Sequence, residues 1–140
     1  MTDQSLTARF GKVAVLMGGP SAEREISLLS GNAVLKALVD MGVDAIGLDV
    51  SDASVLSDLQ KHEINRVFIA LHGRWGEDGV MQGALEVLGL PYTGSGVLGS
   101  AIAMEKGRCK FMWIGAGLPT PEFMLLADEK DLELAELNIG

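Results

Sequence analysis

The sequence predicts a doubly wound α/β domain built around a parallel sheet. Three observations lead there. Short apolar runs alternate with helix-length amphipathic segments, as in βαβ units. The glycines, 18 of 140 residues, cluster where an apolar run hands over to the next segment. Hydrophobic residues make up 48% of the chain, enough for a sizeable buried core.

Taken in order, residues 12–18 (KVAVLMG) form a β-branched-rich run ending at Gly18-Gly19, which fits a strand buried on both faces. A helix follows, with Ser21 as its expected N-cap and Glu23 and Glu25 in the first turn. Ile26, Leu29, Ala33, Val34, Ala37 and Leu38 make its apolar stripe, and Gly42 stops it. Residues 43–49 are a second strand and 53–61 a short helix. Residues 66–71 (RVFIAL) are a third buried strand, and 80–88 a helix closed by Gly89. Strands and helices in this alternation imply right-handed crossovers.

After Pro91 the texture changes. Residues 92–96 (YTGSG) are a small-residue turn opening another helix, with Ser95 or Ser100 to cap it, and 106–116 read as helical. Residues 117–121 (GLPTP) are an emphatic break. A strand-like piece at 123–126 and an acidic helix at 128–137 follow. The expected organisation is an α/β domain over residues 1–97, then a linker and the first elements of an incomplete α+β domain over 98–140.

The formal charge of −8 argues against a nucleic-acid reader, which needs a basic face. Six acids and one base fall between Glu122 and Gly140, a pattern that reads as a solvated surface helix. Cys109 is the single cysteine, so no internal disulfide can form, and it reads as a passive small residue. No apolar stretch approaches the length that spans a bilayer, and residues 1–10 lack a signal-peptide core. The expectation is a soluble, cytoplasmic protein with neither nucleic-acid nor membrane partners.

Ligands of open parallel sheets bind at the carboxyl ends of strands, where strand order reverses. Two loops leave such ends. The first, residues 18–25 (GGPSAERE), combines backbone-approach glycines Gly18 and Gly19 with Ser21 and a helix N-terminus that favours negative groups. Neither the phosphate-loop nor the dinucleotide glycine spacing is present. Glu23 there has two readings: a first-turn acid complementing the helix dipole, or a strand-end carboxylate holding a substrate ammonium. The second loop, residues 72–79 (HGRWGEDG), gathers an imidazole, a guanidinium, an indole and two carboxylates between rigid elements. Either it is a site, or Asp78 caps the next helix and His72 satisfies a backbone group. Lys106, at a helix start that prefers anions, is either phosphate-facing or an exposed lysine.

These segments together resemble the D-alanine–D-alanine ligase family. The resemblance rests on residues 13–25 (VAVLMGGPSAERE) with ISLLSG after them, 70–79 (ALHGRWGEDG), Gln82-Gly83, 91–98 (PYTGSGVL), 100–106 (SAIAMEK) and 117–121 (GLPTP), in order across residues 12–126. It implies a Rossmann-like domain preceding an ATP-grasp architecture, and a ligase joining two D-alanines for peptidoglycan with ATP and Mg2+. By that resemblance Glu23 binds the first D-alanine's ammonium, and His72 lies beside the reacting carboxylate as the second catalytic residue. Gly18, Gly19 and Ser21 line the substrate, and Lys106 reaches the nucleotide phosphates. Glu77 and Asp78 stand behind them as supporting or capping residues. The Mg2+ ligands and the oxyanion-stabilising arginine are expected beyond residue 140, so the isolated chain is expected to be inactive. A homodimer through this domain is also implied.

Three departures bear on these expectations. Trp75 sits where relatives carry a small or aromatic residue, Glu105 replaces an Asp before the lysine, and Gly107 occupies a helix position, which points to a looser junction. Two other readings stand beside the leading one. One is a free-standing, non-catalytic binding or dimerisation module, weighed against by a carboxyl end without a closing strand. The other is a different ATP-grasp ligase sharing this first domain, weighed against by the paired Glu23 and His72 loops.

Overall fold

In the computed structural model, residues 8–126 are described. They fall into two compact units that divide after Met104. The first unit contains β1 (Val13–Gly18), α1 (Arg24–Asp40), β2 (Ala45–Val50), α2 (Val55–Lys61), β3 (Arg66–Ile69), α3 (Val80–Val87) and α4 (Val97–Met104). The second contains α5 (Lys106–Gly115).

The sheet is parallel, with strand order β2-β1-β3. Val13 aligns with Ala45 on one side and with Arg66 on the other. β1 is central, and all six of its residues are buried because both faces are covered. Side chains alternate across a strand. Ala14 and Leu16 therefore join Val50, Val55, Leu59, Val67, Met81 and Leu85 on one face, while Val15 and Met17 meet Leu28, Val34, Leu35 and Leu38 of α1 on the other. Helices on both faces make the sheet doubly wound, as the alternation of segments predicts. Fully burying side chains such as Leu16 and Leu85 contributes about 1.5–3 kcal/mol each. That outweighs exposed pairs such as Lys61–Asp58, whose side chains stay largely in water.

β3 has a further neighbour. Tyr92 forms an isolated parallel bridge with Val67, Val67 N–H donates to Pro91 O at 2.9 Å, and Ile69 N–H donates to Thr93 Oγ1 at 3.0 Å. The small-residue turn after Pro91 thus covers a sheet edge before α4 begins.

Several expectations need correction. The buried face of α1 is Ser27, Gly31, Val34, Leu35 and Leu38, whereas Ile26 and Leu29 are 58% and 70% exposed and Ala33 and Ala37 face solvent. The cause is close approach: a Cβ on Gly31 would lie 2.4 Å from the Met17 Cβ. Only small residues fit that contact, so the most apolar positions are not the buried ones. Glu23, not Ser21, occupies the N-cap position of α1, and Ser21 Oγ instead accepts the Glu23 N–H at 3.1 Å. Ser100 does not cap α4. It is buried within the helix and donates to Ser95 O at 3.2 Å. Residues 123–126 are not a strand. The acidic helix expected at 128–137 lies outside the described residues.

In the second unit, α5 buries none of its residues. Phe111 and Phe123 meet edge to face at 5.3 Å, and Lys110 Nζ donates to Pro121 O at 2.8 Å, folding the GLPTP segment back along the helix. A Cβ on Gly107 would lie 2.9 Å from the Leu125 Cδ2, so this glycine seats a leucine. No helix among the described residues is long and apolar enough to cross a membrane.

Candidate functional site

Strand order reverses between β1 and β3, and the carboxyl ends of these adjacent strands carry the two loops singled out above. Ser27 ties both ends to α1. Its hydroxyl accepts the Gly18 N–H at 2.9 Å and donates to Ala70 O at 2.7 Å, fully buried. One side chain thereby satisfies two backbone groups that the sheet leaves unpaired.

The first loop turns out of β1 on two successive left-handed residues, Gly18 at φ 84° and Gly19 at φ 85°. The Arg24–Asp49 pair lies directly over Gly18, where a Cβ would come within 2.6 Å of the guanidinium and closer still to the carboxylate. That pair is two-pronged, Nη1 to Oδ1 at 2.7 Å and Nη2 to Oδ2 at 2.6 Å, and it joins the start of α1 to the end of β2. Hydrogen bonding from Arg24 holds the Asp49 carboxyl below the usual carboxylate range and raises the Arg24 guanidinium in turn. The Gly18 N–H is committed to Ser27, so Gly18 contributes its shape and not a donor.

Glu23 is exposed at the head of α1, and its carboxylate has no hydrogen-bond or ion-pair partner among the described residues. It nevertheless reaches the second loop. A Cβ on Gly73 would lie 2.9 Å from Glu23 Oε2 and 3.2 Å from the Ser21 Cβ, so the absence of a side chain there lets the two loops meet. Gly73 also needs a left-handed backbone, at φ 62°.

The second loop is heavily tethered. Glu77 Oε2 accepts the Gly73 N–H at 3.1 Å, Asp78 Oδ2 accepts the Trp75 N–H at 3.0 Å, and Asp78 Oδ1 accepts the Val80 N–H at 3.1 Å. Gln82, buried on α3, donates to Gly76 O at 2.7 Å. Trp75 adopts φ 69°, a conformation that costs a non-glycine residue on the order of 1 kcal/mol. Its half-buried ring packs on the apolar cluster around Met81 and Leu85. Gly79, not Asp78, holds the N-cap position of α3, while Asp78 bonds the first amide of that helix and the indole anchors the loop to the core.

His72 is half-exposed between the loop and α1. Its Nε2 lies 3.2 Å from Ser30 Oγ, and its Nδ1 lies 3.7 Å from Glu77 Oε1. Of the residues expected at the site, Glu23, His72, Gly18, Gly19 and Ser21 are thus gathered at one end of one sheet. Lys106 belongs to the second unit, where it opens α5, is exposed, and has no ion-pair partner among the described residues. No cluster of three or more His, Cys, Asp or Glu side chains among the described residues is arranged to hold a metal.

Sequence reasoning passed over Ser27, Ser30 and the Arg24–Asp49 pair. The serines recur at i and i+3 within the apolar stretch of residues 26–31, and that polar interruption was the available signal. Arg24 and Asp49 are 25 residues apart, and nothing local couples them. The opposite end of the sheet has a different character. A cleft of about 350 Å³ lined by Phe10, Leu38, Met41, Phe68 and Tyr92 is almost wholly apolar and offers no comparable set of ionic groups.

The stretches that carry these loops match known proteins. A family model described as D-ala D-ala ligase N-terminus matches residues 51–95, which include β3 and the His72 loop. The chain is 55% identical over 138 residues to a D-alanine–D-alanine ligase of Laribacter hongkongensis, covering 99% of this chain and 44% of that protein. It is 58% identical over 131 residues to one of Ectopseudomonas mendocina, covering 94% and 42%. The chain thus spans less than half the length of these curated relatives. Among solved structures, a D-alanine–D-alanine ligase from Bacillus anthracis superposes with a TM-score of 0.77 at 34% identity, over 91% of this chain and 42% of that one. The same ligase complexed with ATP superposes at 0.70, over 86% and 44%. The chain is thus similar along nearly its whole length to D-alanine–D-alanine ligases, and it matches the model of their amino-terminal domain over residues 51–95.

Proposed function

We propose that this chain supplies the substrate-side half of a ligase that joins two D-alanines at the expense of ATP. One observation carries the reading. The Glu23 carboxylate has no partner among the described residues, yet it is brought to Gly73 of the His72 loop at the strand-order reversal. A free carboxylate so placed is suited to an ammonium, and a charge-assisted contact of this kind contributes about 1.5–3 kcal/mol. It would hold the first D-alanine by its amine and leave the carboxylate free to react.

In the reaction that follows, this carboxylate attacks the γ-phosphoryl group of ATP, ADP leaves, and an acyl phosphate forms. The amine of a second D-alanine then adds to the acyl carbon. The tetrahedral intermediate collapses with loss of phosphate and of the amine proton. His72 stands beside these changes in charge and serves to take or return a proton or to stabilise the oxyanion. Gly19 and Ser21 shape the floor of the pocket, and Lys106 contributes a charge for the nucleotide phosphates. Mg2+ would be held by ligands expected in the carboxyl-terminal portion that the relatives have. A cytoplasmic setting and self-association through this domain belong to the same reading.

Two measurements test it. The 140-residue chain mixed with ATP and D-alanine should release no phosphate, and ATP- and D-alanine-dependent release would overturn its standing as half a site. In the chain extended with the carboxyl-terminal portion its relatives have, Glu23→Gln should raise the KM for the first D-alanine by tenfold or more, from the lost ionic contact, with the KM for ATP nearly unchanged. Equal weakening of both substrates would refute the role given to Glu23.

A further inference from the structure

We propose that Ser30 is a positioning residue for His72: its hydroxyl accepts a hydrogen bond from Nε2–H, leaving Nδ1 as the nitrogen that exchanges protons. The inference starts from where the single hydroxyl proton of Ser30 goes. Ser30 Oγ donates to Ile26 O at 2.9 Å, one turn back along α1, and shares that donation with Ser27 O at 3.2 Å. With its proton directed at helix carbonyls, the oxygen presents only lone pairs to the imidazole 3.2 Å away. Nε2 must then be the donor.

The other ring nitrogen gives the same answer. A proton on Nδ1 of the neutral ring would point toward Glu77 Oε1, but at 3.7 Å that separation is too long for a hydrogen bond. Glu77 is not free to close the gap, because its other oxygen accepts the Gly73 N–H at 3.1 Å. The neutral ring therefore makes one good hydrogen bond as the Nε2–H tautomer and none as the Nδ1–H tautomer. Nδ1, with an open lone pair on the Gly73–Glu77 side, is the atom that can pick up or release a proton. Ser30 is thereby a hydrogen-bond acceptor and not a nucleophile, although Ser30, His72 and Glu77 lie in line. That Nδ1 acts on the acyl phosphate chemistry rests on the ligase reading; the tautomer does not.

The test is built into the composition. The chain has two histidines, and His62, exposed at the end of α2, is an internal reference. Nitrogen-15 imidazole spectra of the 140-residue chain would be recorded in alkaline solution, to read the tautomers of the neutral rings. His72 should show the two widely separated ring-nitrogen shifts of a single Nε2–H tautomer, and His62 the averaged shifts of a free mixture. Ser30→Ala should bring His72 to the His62 pattern, and Ser30→Thr should restore the separation. An Nδ1–H pattern in the unmodified chain would overturn the proposal without any variant. So would an unchanged His72 pattern in Ser30→Ala with its amide spectrum still folded. In the extended enzyme, Ser30→Ala should lower kcat about tenfold, part of the usual contribution of a proton-transferring side chain, with the KM for ATP unmoved. A variant that frees the tautomer but keeps full kcat would leave Ser30 as assigned and remove His72 from the ligase mechanism.

Discussion

The loop after β1 and the loop after β3 leave neighbouring parallel strands at the same end of the sheet, yet they are held in different ways. The first is short, turns on two left-handed glycines, and is fastened from outside by Arg24 to Asp49. The carboxylate of Glu23, proposed above to take the substrate ammonium, has no hydrogen-bond or ion-pair partner among the described residues. The second is longer and fastened from within by Glu77, Asp78 and Gln82, with an indole in the core and a strained tryptophan backbone at its centre. Its imidazole is contacted on both sides. A group that binds a charge by matching it must stay unpaired, whereas a group that moves protons must have its ring orientation and its tautomer set. Each loop carries the amount of internal bonding that the task proposed for it allows.

The difference should appear in stability. The largest effect is expected for Gly76→Ala. A Cβ there would lie 2.6 Å from the Leu71 backbone, which cannot yield as a side-chain end does. A cost of about 3 kcal/mol is expected from overpacking of this kind, read from urea unfolding. A loss below ~1 kcal/mol would mean that the second loop is softer than its hydrogen bonds suggest. Ser27→Ala should come next, at about 2 kcal/mol, since it strands the Gly18 N–H and the Ala70 carbonyl together and strikes both loops at once. If hydrogen exchange quickened at only one of the two strand ends, the shared anchor would be disproved.

A smaller effect, with a defined pH window, is expected for Asp49→Asn. The Asp49 carboxyl lies below its usual value in the folded chain, so between the two values the unfolded chain binds more protons. The contribution of the pair is therefore complete above about pH 4, the ordinary aspartate value, and is lost as the pH falls through the folded one. The gap in urea midpoint between the parent and Asp49→Asn should be present at neutral pH and should close in acid. Because both partners are more than one-third exposed, the gap should be modest, and added salt should shrink it. A gap that widened in acid would contradict the pairing. Smallest of all, Glu23→Gln should change stability by less than about 0.5 kcal/mol, as for an exposed side chain with no hydrogen bond or ion pair among the described residues. A larger loss would mean that Glu23 is structural, and the contrast between the loops would fail.

Most of the architecture was legible in the linear pattern. β1 is apolar at every position because it is covered on both faces, and the glycines at 18, 19 and 73 mark turns that no other residue takes as easily. Ordered motifs pointed to the family, and with it to Glu23 and His72. The interior of α1 was not legible. Hydrophobicity selects Ile26 and Leu29, while the real contact surface is Ser27 and Gly31, because closeness to β1 is governed by size there and not by polarity. Nor could the pattern tell whether Glu23 complements a dipole or waits for a ligand, since that depends on what stands opposite it.

The sequence by itself thus determined the alternation of strands and helices, the burial of β1 on both faces, and the two glycine-bearing loops at strand ends. All of these follow from local periodicity and from backbone conformations that few residues permit. Only the tertiary structure decided that Glu23 meets Gly73, that Ser27 joins two strand ends, that Arg24 finds Asp49, and that Ser30 faces the imidazole of His72. Apart from the Ser27–Gly18 bond, these contacts join residues 25 to 50 positions apart, and no local preference encodes them. They exist because a parallel sheet brings successive strand ends side by side, and a helix packed closely across it presents its small polar residues to both.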